Sequence, residues 1–175
     1  MKKTLFVLLS FFFFFTLKMS AQSAWLGKWI TDPMEEGTEK MIMEFDFKND
    51  TEMSVAFYTD NKKSGLGRCV SKVSANGTYT AIGPLFFMSI DSKSVNVEIL
   101  KLTLDNSHIK VTKSAIAQQI KATASILFAN FEDVEMVYVT HDDPNVISFI
   151  IGDEQHAEDM EFHRPEKPIE QILGF

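Results

Sequence analysis

The sequence predicts a mostly β domain: an antiparallel up-and-down β-barrel of about eight or nine strands with one inserted α-helix. Three observations carry this. Apolar residues alternate with polar ones along most of the chain, the period of half-buried strands. Turn chemistry separates these runs at hairpin spacing. The period changes to a helical one once, over residues 114–130.

The first 21 residues stand apart from that pattern. Lys2 and Lys3 precede an apolar run from Leu5 to Leu17 that contains five consecutive phenylalanines, and Met19-Ser20-Ala21 follows. This is the layout of a secretory signal peptide, with cleavage expected after Ala21. The run is short for a membrane span, so no transmembrane segment is expected after cleavage. The domain then comprises residues 22–175. Cleavage removes three lysines and no acid, moving the formal charge from −7 to −10. An acidic chain of this kind excludes nucleic acid as a partner. A single cysteine, Cys69, excludes an internal disulfide and is expected to be buried and inert.

The elements follow in order. Residues 24–32, Ala-Trp-Leu-Gly-Lys-Trp-Ile-Thr-Asp, read as the first strand. In residues 41–47, Met41, Met43, Phe45 and Phe47 share one face, while Glu44 and Asp46 point outward. Lys48-Asn49-Asp50 is a turn, after which Met53, Val55 and Phe57 alternate with polar neighbours, completing a hairpin. Residues 60–67 are a polar loop, residues 69–74 a weaker strand, Asn76-Gly77 a tight turn, and residues 78–82 the return. Gly83-Pro84 breaks the chain before a strand at 85–91. The strand at 94–104 changes phase: Val95, Val97 and Ile99 share one parity, and Leu100, Leu102 and Leu104 the other. A bulge near Ile99-Leu100 reconciles both halves with one interior. The helix is alanine-rich, free of Gly and Pro, and starts at Ser114 as its N-cap; Ile116, Ile120, Ala124, Leu127, Phe128 and Phe131 form its stripe. Three strands follow, at 134–140, 146–151 and 160–163. Pro165 and Pro168 end regular pairing, and the tail 165–175 packs its apolar set, Ile169, Ile172, Leu173 and Phe175, on the body as a short turn. A sandwich is the alternative, but successive hairpins favour closure of the first strand on the last.

Gly27-Lys28-Trp29 on the first strand, ahead of a meander ending in Glu161-Phe162-His163-Arg164, resembles the lipocalin-like (calycin) superfamily. The resemblance implies that Gly27 and Trp29 sit at the closed end and that Arg164 stacks on the indole, a cation–π contact of about 1 kcal/mol. A helix before the last three strands departs from the usual plan of that family. The n-region, phenylalanine-rich core and Ser20-Ala21-Gln22 junction of the leader resemble exported proteins of Bacteroidetes-type bacteria, which implies a secreted or periplasmic destination.

Four kinds of chemistry compete. Met41, Met43, Phe45, Met53, Val55, Phe57, Phe86, Met88, Met136 and Phe149 point to an apolar interior lined by thioethers and rings, suited to a small hydrophobic molecule. An ordinary packed core uses the same residues. Asp153 to Asp159 with His163 and His141-Asp142-Asp143 gathers metal-type donors, but the spacing fits neither zinc nor calcium motifs, and a solvated acidic hairpin is the simpler reading. Glu44 and Asp46 lie on an outer face with ordinary titration expected, and no nucleophile or phosphate-loop motif is present, so neither an enzyme nor a cofactor is expected. Outward Ile42, Ala56, Tyr58 and Phe87 leave a protein-binding patch open. The leading expectation is a non-catalytic secreted binding protein holding a small apolar or amphipathic ligand. A filled barrel acting as a structural or protein-interaction module of the bacterial envelope is the alternative, and a metal-binding protein or enzyme comes third.

Overall fold

Asn49 shows how local chemistry sets the sheet. Its Oδ1 accepts hydrogen bonds from the backbone N–H groups of Thr51 (3.0 Å) and Glu52 (2.8 Å), an Asx-turn that reverses the chain. The flanking strands, β3 (Glu39–Phe47) and β4 (Glu52–Lys63), pair from Phe47↔Met53 up to Glu39↔Asn61. The computed structural model describes residues 25–65, 67–105, 108, 110–129, 131–151 and 158–175; the leader 1–21 lies outside them.

Among the described residues ten strands form one antiparallel sheet. Besides β3 and β4 they are β1 (Gly27–Ile30), β2 (Met34–Glu36), β5 (Gly67–Ile82), β6 (Leu85–Ile90), β7 (Asn96–Leu104), β8 (Val134–Thr140), β9 (Val146–Ile151) and β10 (Glu158–His163). Eight of them close in the order β1-β10-β9-β8-β6-β5-β4-β3, with β3 returning to β1. The result is a closed, eight-stranded, antiparallel barrel that matches a lipocalin-like barrel. β2 adds to the edge of β3, and β7 lies off the ring, paired with β5.

Three expectations need correcting. Asn76-Gly77 does not turn. β5 runs unbroken for 16 residues, and Gly77 pairs with both Met53 and Ile90. The reason is packing: a side chain at Gly77 would meet Ile90 Cδ1 and the Ser89 carbonyl at 2.6 Å each, so the glycine permits a close crossing rather than a reversal. The polar loop expected at 60–67 is mostly strand, since β4 runs to Lys63 and β5 starts at Gly67. The strand expected at 94–104 is not part of the barrel wall; as β7 it uses the upper edge of β5, which β6 does not reach. Its predicted bulge is present: Val70 pairs with Lys101 and Ser71 with Ile99, leaving Leu100 unpaired.

The insertion between β6 and β8 holds the helix α1 (Lys113–Ala129). Thr112, not Ser114, caps it: the Thr112 hydroxyl accepts from the Ala115 N–H at 3.1 Å. The tail forms a short helix, α2 (Ile169–Leu173), closed by Gly174 in the left-handed conformation (φ 70°). Its Ile169 and Leu173 pack on the outside of the barrel against Ile30, Ile42, Ala56, Tyr58 and Val70. The outward patch suggested by Ile42, Ala56 and Tyr58 is therefore covered by the chain's own C-terminus. No described helix is long and apolar enough to cross a membrane.

Candidate functional site

The barrel has a closed end and an open end. At the closed end Gly27 takes φ +100°, and the place of its missing side chain is held by Arg164, whose Nη1 lies 2.8 Å from an ideal Cβ. That guanidinium donates to the Leu26 carbonyl at 2.6 Å and sits 4.1 Å from the Trp29 ring centroid. Burial lowers its pKa, but an arginine keeps its charge at any working pH. The Trp29 indole N–H donates to the Trp25 carbonyl at 2.7 Å. Gly27, Trp29 and Arg164 thus form a closure of side chains.

Trp25 completes the plug. Its ring contacts Tyr138 edge-on at 4.7 Å, Phe86 at 5.6 Å, Phe47 at 5.8 Å and Tyr79 at 6.1 Å. Above it Phe45 stacks on Phe162 at 4.5 Å and meets Phe149 at 5.5 Å. Trp25 is not among the expected closure residues; it precedes β1 and is turned into the interior by Gly27 at φ +100°, a conformation that local alternation does not encode.

The ten predicted interior residues all converge in one apolar cluster. Met43, Phe45, Met53, Val55, Phe57, Phe86, Met88, Met136 and Phe149 are buried, and Met41 is half-buried against them. Register orders them into layers: Phe47↔Met53 and Phe45↔Val55 lie low, while Met43↔Phe57↔Val73 and Met41↔Thr59 lie towards the open end.

Towards the open end α1 packs chiefly on β7 and sends Phe128 onto the interior residue Phe57. Only Ala124 and Phe128 of its 17 residues are buried. The Phe128 ring lies 5.6 Å from Phe57 and 6.3 Å from Phe131. Leu127, expected in the apolar stripe, is 48% exposed, and Ile126 is 72% exposed. The sheet continues beyond this plug. Inward residues Cys69 and Leu102 pair in register, as do Gly67 and Leu104. With Val111 and Ile116 they line an apolar groove of about 230 Å³, bordered by Lys63 and Arg68. Burial raises the pKa of the Cys69 thiol, with nearby Lys113 opposing, so the thiol is a poor nucleophile.

The outer wall holds a further correction. Glu44 is not solvated; it is 3% exposed. Lys28 Nζ donates to its Oε2 at 3.0 Å, Lys72 Nζ lies 3.9 Å from Oε1, and the Tyr58 hydroxyl donates to Oε1 at 3.4 Å. Burial and the Glu44 charge raise the Tyr58 pKa. Next to it Arg68 holds Asp60 through two hydrogen bonds of 2.9 and 2.7 Å and reaches the Leu173 carbonyl at 2.9 Å, pinning the end of α2.

The metal-type donors do not gather among the described residues: no three His, Cys, Asp or Glu side chains approach one another closely enough. His141 Nε2 is hydrogen-bonded with the buried Ser148 hydroxyl at 2.9 Å, and His163 Nδ1 lies 3.9 Å from Asp32. Residues 153–157 of the acidic hairpin lie outside the described residues. No protein-family model and no curated protein matches this chain.

Proposed function

We propose that this chain is a secreted, non-catalytic, lipocalin-like carrier that takes a small apolar or amphipathic molecule at the open end of the barrel, beneath α1. One observation carries the reading. The 17-residue helix α1 buries two side chains, Ala124 and Phe128, with Ile120 half-buried beside them, and sets Phe128 against Phe57 in the layer shared with Met43 and Val73. A helix so lightly anchored is cheap to displace, because most helical stability comes from packing of an apolar face. Phe128 then acts as a removable plug, and burial of ligand surface, at about 25 cal/mol per Å², drives uptake. The apolar groove beside Ile116 continues the interior face outward and supports the same route. The phenylalanine-rich leader supports export, to the periplasm or beyond.

A second reading draws on the closed end. Trp25, Phe45, Phe86, Phe149 and Phe162 are in ring contact there. That packing favours a filled barrel serving as an envelope interaction module. One experiment separates the two readings. Native mass spectrometry on protein purified from its own host is expected to show a bound small molecule. Titration with N-phenyl-1-naphthylamine is expected to give 1:1 uptake that tightens in Phe128→Ala. No adduct, together with no uptake by either protein, would leave the filled-barrel reading standing.

A further inference from the structure

The outer wall between β1 and β7 carries a depression that the carrier reading does not use. Five strands, β1, β3, β4, β5 and β7, set its floor by register. Glu44 faces Ala56, Ala56 faces Ser74, and Ser74 faces Asn96; in the next row Lys28 faces Asp46, Asp46 faces Ser54, and Ser54 faces Asn76. Small side chains at Ser54, Ala56 and Ser74 leave a hollow of about 230 Å³. Three lysines, Lys28, Lys48 and Lys72, line it in a chain whose net charge is −7. Two of them lean on the buried Glu44, and Lys48 donates to Asn76 Oδ1 at 3.2 Å. An ammonium has three N–H donors, so these contacts position the lysines without exhausting them. Counting Glu44 and Asp46 against the three lysines, the lining carries a positive excess of one charge.

We propose that this hollow is a second binding site, for one small polyhydroxylated anion of the acidic-monosaccharide type. The lysines would hold the carboxylate. Serine hydroxyls and asparagine amides, which both donate and accept, suit a ring of hydroxyl groups. The volume lies below the roughly 300–1,000 Å³ of sites for drug-sized ligands, so it suits a single sugar ring. Glu44 acts as the internal counter-ion that orients Lys28 and Lys72 from below.

The test is a titration of the full mature protein, followed by NMR, with glucuronate, glucose and inorganic phosphate. Saturable glucuronate shifts confined to β1, β3, β4, β5 and the start of β7 are expected, with little response to glucose. Lys48→Met and Lys72→Met should each weaken glucuronate about threefold or more, the scale of one exposed ion pair, and Lys40→Met should not. Ser74→Phe, which fills the floor without touching an ion pair, should abolish binding while circular dichroism stays native. A wild-type Kd for glucuronate weaker than about 10 mM overturns the proposal, as does undiminished binding by a folded Ser74→Phe. Equal affinity for glucose overturns the anionic class, and equal affinity for phosphate overturns the sugar.

Discussion

Arg164 lies with its guanidinium 4.1 Å from the centre of the Trp29 ring, so the residue just beyond the last strand covers one on the first. Trp29 is 2% exposed, and its indole also holds the Trp25 carbonyl. Trp29→Ala should therefore lower stability by about 3–5 kcal/mol, the range for a buried aromatic truncated to alanine. Arg164→Met removes the stack and should cost about 1–2 kcal/mol. Urea titration measures both. Because the closure is remote from α1, uptake of N-phenyl-1-naphthylamine by the folded fraction should be unchanged; a selective loss of uptake would place Trp29 in the ligand site instead.

Gly77 offers a sharper test of packing. Its Cβ would meet two atoms of the β6 strand at 2.6 Å, and one of them is backbone. Gly77→Ala should cost about 1–3 kcal/mol through overpacking. Ile90→Ala in the same chain relieves only the side-chain clash, so thermal melts should show partial rescue.

The Arg68–Asp60 pair fastens α2 to the outer wall. Asp60 is 8% exposed and receives two charge-assisted hydrogen bonds from Arg68. Arg68→Met leaves that carboxylate without its partner and frees the Leu173 carbonyl, a loss of about 2–4 kcal/mol. Adding Asp60→Asn should recover part of it in a double-mutant cycle. Hydrogen exchange should show residues 169–173 losing protection first.

Alkali should unfold this barrel early. The Tyr79 hydroxyl donates to the Asn49 carbonyl at 2.8 Å, and burial, with Asp50 adding to it, pushes its pKa up to about 12. Tyr58 is raised as well, by burial and Glu44. A folded pKa above the unfolded value means that the native state holds its proton more tightly. The stabilisation is complete below about pH 10 and falls from there through about pH 12, by up to roughly 1.4 kcal/mol per pH unit for each tyrosine. Tyr79→Phe should cost about 1 kcal/mol at neutral pH, from the lost hydrogen bond, yet flatten the decline above pH 10. An unchanged slope in denaturant titrations at pH 9 to 11 would contradict this.

Features set by short-range pattern could be read directly from the chain: the alternation of β3 and β4, the Asn49 turn, the phase change that marks the Leu100 bulge, the helix, and the packed apolar tail. What escaped depends on distant partners. Asn76-Gly77 carries turn chemistry, and only Ile90 crossing above it makes the glycine a strand residue. Glu44 alternates outward as expected, yet outward is buried here because Lys28, Lys72 and Tyr58 enclose it. The candidate interior residues were legible as a face. That Phe128 would plug one end and Trp25 the other was not, since both lie on segments whose docking no local period encodes.

The ring of strands has one thin join. β1 meets β3 at four register positions, from Gly27↔Phe47 to Ile30↔Glu44, but meets β10 only at Ile30↔His163. Backbone hydrogen bonding across that join is sparse, and the fastening passes instead to Arg164, Leu26 and Trp29. Under heat or pulling force, rupture would start there, as a zip opens at its clasp, with β1 and β10 parting while the β3–β4–β5 ladder still holds.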